Sequence, residues 1–337
     1  MSGNSRFAES APLLARVDAT YSLLGEVAIE AGDATPNARV ALSGPPLADD
    51  PVLRRSLDLL LAAKRRGAGA DATLAALDVP GFAPLPGARD IAGTDCRFVR
   101  LSTPAQTALH VLAAVDDGDP WTAELHALFR EVLGNPGQRY DLAGADVAET
   151  AALQGAVELL ATTLPRTSRS VLAHTSLVVL VDGPDAFESA TDRRIPRAVF
   201  LSRDAVTDPV RAAEALLHES AHQKLYDLQL IYQLYRPDYD AGAASTVSPP
   251  WHNGNAQWSF DRGVAACHVY THLHAFFAAL VRAPQGSAVD VSGSARQAAD
   301  RARFLHGALL PQASRECNDN GRAFLHWIGD CLNSTSR

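Results

Sequence analysis

Lysine is almost missing from this chain. Of its 30 basic side chains only Lys64 and Lys224 are lysines, and no Lys/Arg run forms a stripe. With a formal net charge of -8, the protein lacks the cationic surface that would neutralise nucleic-acid phosphates, so nucleic acid is not an expected partner. Cysteine is scarce too. Cys96, Cys267, Cys317 and Cys331 lie far apart with no CxxC spacing, which reads as free thiols in a reducing cytoplasm. No stretch reaches the about 18 uninterrupted apolar residues of a membrane span. MSGNSRFAESAPLL has no basic segment followed by an apolar one, so no secretory signal is expected. Together these absences point to a cytoplasmic location with no membrane partner. Repeats and low-complexity tracts are also missing.

What is present is a globular composition, 47% hydrophobic and 20% charged over 337 residues, enough for a sizeable core. Apolar residues recur at helical spacing over Leu13 to Ile29, Val52 to Ala63 and Ala105 to Val115. A Pro/Gly-rich loop, Val79 to Asp90, separates the second from the third. Trp121 to Leu133, opened by Asp119-Pro120, and Val147 to Leu164 predict two more helices. After Pro165 the texture changes. Ser170 to Asp182 and Ala198 to Ser202 are rich in β-branched residues and predict strands. Asp208-Pro209 opens a long helix that runs to about Tyr235, where Arg236-Pro237 stops it. Asp238 to Asn255 reads as loop, and helices follow over Asp261 to Val281, Ala295 to Leu310 and Gly321 to Leu332. The expected fold is mainly α with a small β-sheet before the long helix. A soft boundary near Pro165 either divides a helical N-terminal region, 1–165, suited to binding a substrate or leader, from a catalytic region, 166–337, or joins two halves of one domain.

The chemistry is concentrated in ALLHESAHQKLYDL, Ala215 to Leu228. His218 and His222 are four apart on a predicted helix, so both imidazoles leave one face and can reach one ion. Glu219 stands beside them, where a zinc peptidase keeps the general base for metal-bound water. The expected arrangement is a zincin-like HExxH helix with its metal site between two helices.

The third ligand decides the chemistry. The HExxHxxGxxH extension fails, because Leu225 and Leu228 stand at the glycine and third histidine positions. The later glutamate of other zinc peptidases is missing as well, since no Glu occurs between Gln223 and Arg315. Histidines are plentiful instead: His252 in PPWHNG, and His268, His272 and His274 in DRGVAACHVYTHLHAFF. His268 is the favoured third ligand, because its neighbours Gly263, Ala265, Ala266 and Cys267 are small and would let the two helices approach closely. His272 and His274 read as polar core or surface residues.

AVFLSRDAVTDPVRAAEALLHESAHQKLYDL, then SPPWHNG, then WSFDRGVAACHVYTHL, resemble the HExxH-type peptide β-hydroxylases. That family depends on 2-oxoglutarate and acts on ribosomally made, post-translationally modified peptides. The resemblance covers roughly Val171 to Val281. It also takes in the HTS at His174 to Ser176 and the closing GRAFLHWI. It implies an Fe(II)/2-oxoglutarate dioxygenase that hydroxylates the β-carbon of an amino-acid residue in a peptide or carrier-bound substrate with O2. Iron would be held by His218, His222 and His268. A bidentate arginine would hold the distal carboxylate of 2-oxoglutarate: Arg262 first, with Arg322 and Arg303 in reserve. Trp251, His252 and Trp258 would line the substrate channel, and Glu219 would orient a ligand or contact substrate. The competing expectation is a zinc metallopeptidase with Glu219 as general base.

Overall fold

The computed structural model describes residues 6–335 except 45–46, 67–74, 80–81, 83–84, 86–96, 106–107, 117, 135–139, 184–186, 253–255 and 284–290. Cys96 and most of the expected Val79 to Asp90 loop lie outside the described residues. In chain order the elements are α1 (Ala11–Glu30), α2 (Pro36–Leu42), α3 (Pro51–Arg65), β1 (Phe98–Leu101), β2 (Leu109–Leu112), α4 (Pro120–Leu133), β3 (Asp141–Ala143), α5 (Val147–Thr163), α6 (Pro165–Leu172), β4 (Leu177–Asp182), β5 (Ser189–Ala190), β6 (Ala198–Ser202), α7 (Pro209–Tyr232), β7 (Thr246–Val247), β8 (Trp258–Ser259), α8 (Phe260–Arg282), α9 (Ser292–Leu309), α10 (Ala313–Glu316) and α11 (Asp319–Thr335). The fold is mainly helical with a small mixed sheet.

Three helices begin with the dipeptide Asp-Pro, and the mechanism is the same in each. Proline presets the first helical φ and has no N–H to orphan, while the aspartate accepts from the exposed N–H groups of the first turn. Asp50 caps Val52 and Leu53, Asp119 caps Thr122, and Asp208 caps Val210 and Arg211. Helix α5 uses a reciprocal capping box between Asp146 and Glu149.

The main sheet runs β1-β2-β4-β6-β5, with β3 antiparallel to the far end of β4. Strand β4 is parallel to β2 and to β6, and β5 closes one edge antiparallel to β6. The run LVVLV in β4 is buried throughout, as a strand covered on both faces must be. Leu177, Val179 and Val181 join Ala198 and Phe200 in a core shared with α1, α3 and α4. Val178 and Leu180 join Val199 and Leu201 in a second core shared with α5, α7 and α8. The sheet takes strands from both sides of residue 165.

Three sequence expectations need correction. Ala105 to Val115 is not a helix: Leu109–Leu112 is strand β2, paired with β1 and β4. Its four apolar-facing positions fit a short buried strand as well as a helical turn, and pairing decides. The expected strand from Ser170 starts at Leu177, because α6 runs through Leu172. Gly263 and Cys267 face α9, not α7. A Cβ on Gly263 would meet Leu309 at 3.1 Å, and Cys267 Sγ donates to the Ala302 carbonyl at 3.5 Å.

Helix α8 is long and apolar enough to cross a membrane, but 67% of its most apolar window is buried inside the protein. Its apolar surface is used as core.

Candidate metal centre

Helix α7 leaves the C-terminal side of β6 and lies against the sheet. Ala212, Ala213, Leu216 and Leu217 fill the second core, and Glu219 meets Ser189 of edge strand β5. Ligand atoms of His218, Glu219 and His222 all come within 4.8 Å of one another. The two rings have centroids 5.1 Å apart, and His218 Nε2 lies 3.8 Å from Glu219 Oε1. His218 is 36% exposed at its side chain, while Glu219 is buried. The group therefore has one face open to solvent and one sealed.

The donors suit a divalent metal. Burial first, and the neighbouring His218 second, push His222 down to about 3, so its imidazole is neutral and keeps a lone pair. Its Nδ1 is buried with no hydrogen-bond partner, although buried polar atoms are nearly always paired. Burial pushes the Glu219 carboxyl up, while His218 and a hydrogen bond from Ser189 pull it back. Ser189 Oγ donates to Glu219 Oε1 at 2.6 Å, so edge strand β5 holds the carboxylate in place.

Two contributors escaped the sequence reading. Ser189 is one, and nothing in the local sequence marks it. Tyr226 is the other: its ring stacks on His222 with centroids 6.3 Å apart at 20°. It lies four residues beyond His222, and that helical spacing was a usable signal.

Among the described residues, His268 does not join this group. It is fully buried, and its Nε2 lies 3.0 Å from His272 Nε2. Phe324 and Trp327 lie beside its ring, with centroids at 5.4 and 6.1 Å. Burial, then His272, Lys224 and His222, hold it well below the usual histidine range. His272 and His274 are both buried, which decides between core and surface for them.

The expected channel residues do come together, at a different place. Trp251 meets Trp258, Tyr270 and Phe304 edge-on with centroids at 6.2, 6.2 and 5.5 Å, and the exposed His252 lies 5.2 Å from Trp258. Arg262 stacks its guanidinium 4.8 Å over Trp258. Arg322 pairs with Asp319 and donates to the Cys317 carbonyl at 3.1 Å. Arg303 lies 4.0 Å from Asp300. These arginines serve the α8–α9–α11 side. Among the described residues near the motif, Arg211 lies 3.7 Å from Glu188, whose charge acts on Glu219, and the charge of Arg193 is felt by Tyr226.

The chain matches no protein-family model and no curated protein.

Proposed function

We propose that this chain is a metal-dependent oxygenase in which His218 and His222 hold Fe(II) and Glu219 supplies the carboxylate beside them. The observation that carries this is the convergence of two imidazoles and one carboxylate within 4.8 Å. Two histidines and a carboxylate with open positions are the usual donor set of non-haem Fe(II) oxygenases. With 2-oxoglutarate and O2, the metal would supply the oxidising power to convert a C–H bond into C–OH. The resemblance of Val171 to Val281 to the HExxH peptide β-hydroxylases supports that co-substrate and an amino-acid residue in a peptide or carrier as the target. A cytoplasmic location accords with free thiols and with α8 buried as core.

The chain's own residues would have three tasks. Ser189 fixes Glu219, and Tyr226 backs the His222 ring. The solvent-facing side of His218 is where substrate would enter. Because Arg262 stacks on Trp258, Arg211 and Arg193, which act on Glu188 and Tyr226, become candidates for the free carboxylate of 2-oxoglutarate.

A second reading has its own support. Strand β5 is an edge strand, antiparallel to β6, and its Ser189 touches the HExxH glutamate. An extended peptide could add to that edge, with zinc on the histidines and Glu219 as general base. The test is to load the protein with Fe(II) or Zn(II) and assay both reactions on peptides. Succinate formation that needs Fe(II), 2-oxoglutarate and O2 supports the oxygenase. Zinc-dependent peptide cleavage without 2-oxoglutarate replaces it with the peptidase.

A further inference from the structure

A second polar constellation lies behind helix α7, built from residues that the metal centre does not use. Asp227 Oδ2 lies 2.6 Å from His174 Nδ1, and His174 Nε2 lies 2.8 Å from Ser10 Oγ. Ser10 lines a cavity of about 500 Å³ between α1, α6, α7 and α11. We propose that Ser10, His174 and Asp227 form an acyl-transfer site, with Ser10 as nucleophile toward a small acyl ester or thioester bound in that cavity.

The proton positions follow from the charges around the histidine. Arg54 donates to Asp227 Oδ1 at 2.7 Å, and Arg197 lies 3.6 Å from Oδ2. The two guanidiniums keep this buried carboxyl ionised, so it accepts from His174 Nδ1–H. Burial holds His174 neutral, down to about 4. A neutral ring that donates through Nδ1 has a lone pair on Nε2, 2.8 Å from Ser10 Oγ. At rest the Ser10 hydroxyl donates to the Ser170 carbonyl at 2.6 Å, and it turns to Nε2 when an acyl group enters the cavity. The relay of hydroxyl, imidazole and carboxylate is the one that acyl-transfer enzymes use, recognised by roles and geometry and not by chain order.

The placement of Ser10 is unusual for its position. It precedes α1 as the N-cap, yet its side chain makes no capping hydrogen bond. A serine there ordinarily caps the helix, which contributes about 1 kcal/mol. Here the hydroxyl bonds Ser170 and lies against His174 instead, so it caps neither Ala11 N–H nor Leu13 N–H; Pro12 between them has none. Lys224, buried and lining the same cavity, donates to Ser170 Oγ at 2.6 Å, and that oxygen lies 3.1 Å from Ser10 Oγ. The Lys224 amine and the start of α1 thus flank the point where a carbonyl oxygen would gain charge. Arg166 and Arg169 line the cavity too and are exposed, which favours substrates with a negative group.

The reaction balances with water alone. Ser10 Oγ bonds to the acyl carbon as its proton passes to His174 Nε2. The bond to the leaving alcohol or thiol then breaks, and His174 returns the proton to it. Water, deprotonated by His174, releases the acid and restores Ser10.

The test uses the full chain, with and without a metal chelator, so that it is independent of the metal centre. A fluorophosphonate probe is added and the labelled peptide identified by mass spectrometry, and p-nitrophenyl acetate hydrolysis is followed in parallel. The expected result is chelator-insensitive labelling on Ser10, abolished in Ser10→Ala, with hydrolysis reduced at least about a hundredfold. Folding of the variant is checked by circular dichroism. Because labelling is read on the unmodified protein, a failure of Ser10→Ala to fold does not blur the answer. Folded protein with no label on Ser10, or equal hydrolysis in a folded Ser10→Ala, overturns the proposal.

Discussion

The Ser189 hydroxyl reaches across from edge strand β5 and donates to Glu219 Oε1 at 2.6 Å. This bond ties the open edge of the sheet to the helix that carries His218 and His222. Ser189→Ala would leave a buried carboxylate oxygen without that donor, at a cost of about 1–3 kcal/mol. Urea unfolding of the metal-free protein measures it. An unchanged midpoint would mean that water replaces the hydroxyl and that β5 does not hold Glu219.

The ion pair between Arg54 and Asp227 joins α3 to α7 with both side chains buried. Arg54→Met strands part of the Asp227 charge, since Arg197 and His174 remain. Removing one member of a buried pair costs about 3–5 kcal/mol, and the lower end is expected here. Replacing both residues, in Arg54→Met with Asp227→Leu, should recover part of the loss by relieving the unpaired charge. Denaturant titration of the single and double variants decides it. A double variant with no recovery would show that His174 and Arg197 depend on Asp227 as much as Arg54 does.

Asp50 does three tasks at once. It caps α3, accepts from Trp121 Nε1 at 3.0 Å, and accepts from Leu85 N at 2.6 Å. Asp50→Ala would orphan all these donors in the core. The expected destabilisation is about 3 kcal/mol, read as a lower thermal midpoint. Trp121 fluorescence should shift as its indole N–H loses its partner. A loss of 1 kcal/mol or less, as an ordinary exposed cap would give, would contradict the account of Asp50 as a shared core acceptor.

His174 makes stability depend on pH. Burial lowers it from the usual 6.5 to about 4, so between those values the unfolded chain binds a proton that the folded chain does not. Stability from this group is present above about pH 6.5 and is lost as pH falls toward 4, on the order of 3 kcal/mol in all. Facing it are Asp227, Arg197 and Lys224 from α7 and the β6 side, and Ser10 from α1. Raised carboxyls such as Asp18 and Asp58 slope the other way, so the comparison is between wild type and His174→Gln. The variant should lose less stability than wild type between pH 7 and pH 5. Parallel curves would mean that His174 is charged in the folded state.

Helix starts were legible because Asp-Pro is a local signal with a local cause, and α3, α4 and α7 begin where it stands. The His218/His222 pair was legible because helical spacing alone puts both rings on one face. Strands β1, β3 and β5 were not. They have two to four residues each and exist through pairing, which no short window of sequence contains. Ser189 was hidden for the same reason. The small residues of α8 were visible, but their partner was not: Gly263 fits against Leu309 of α9, and sequence does not say which helix comes closest. The Ser10–His174–Asp227 relay spans residues far apart in the chain, so only the fold assembles it.

The central claim is that His218 and His222, without His268, hold iron that accepts 2-oxoglutarate. The direct measurement is visible absorption of the anaerobic protein with Fe(II), before and after 2-oxoglutarate, in wild type, His218→Ala and His268→Ala. The account predicts a weak charge-transfer band that needs both additions, vanishes in His218→Ala and persists in His268→Ala. No band in the wild type, together with zinc-dependent peptide cleavage that His218→Ala abolishes, would contradict it and assign the HExxH helix to a peptidase.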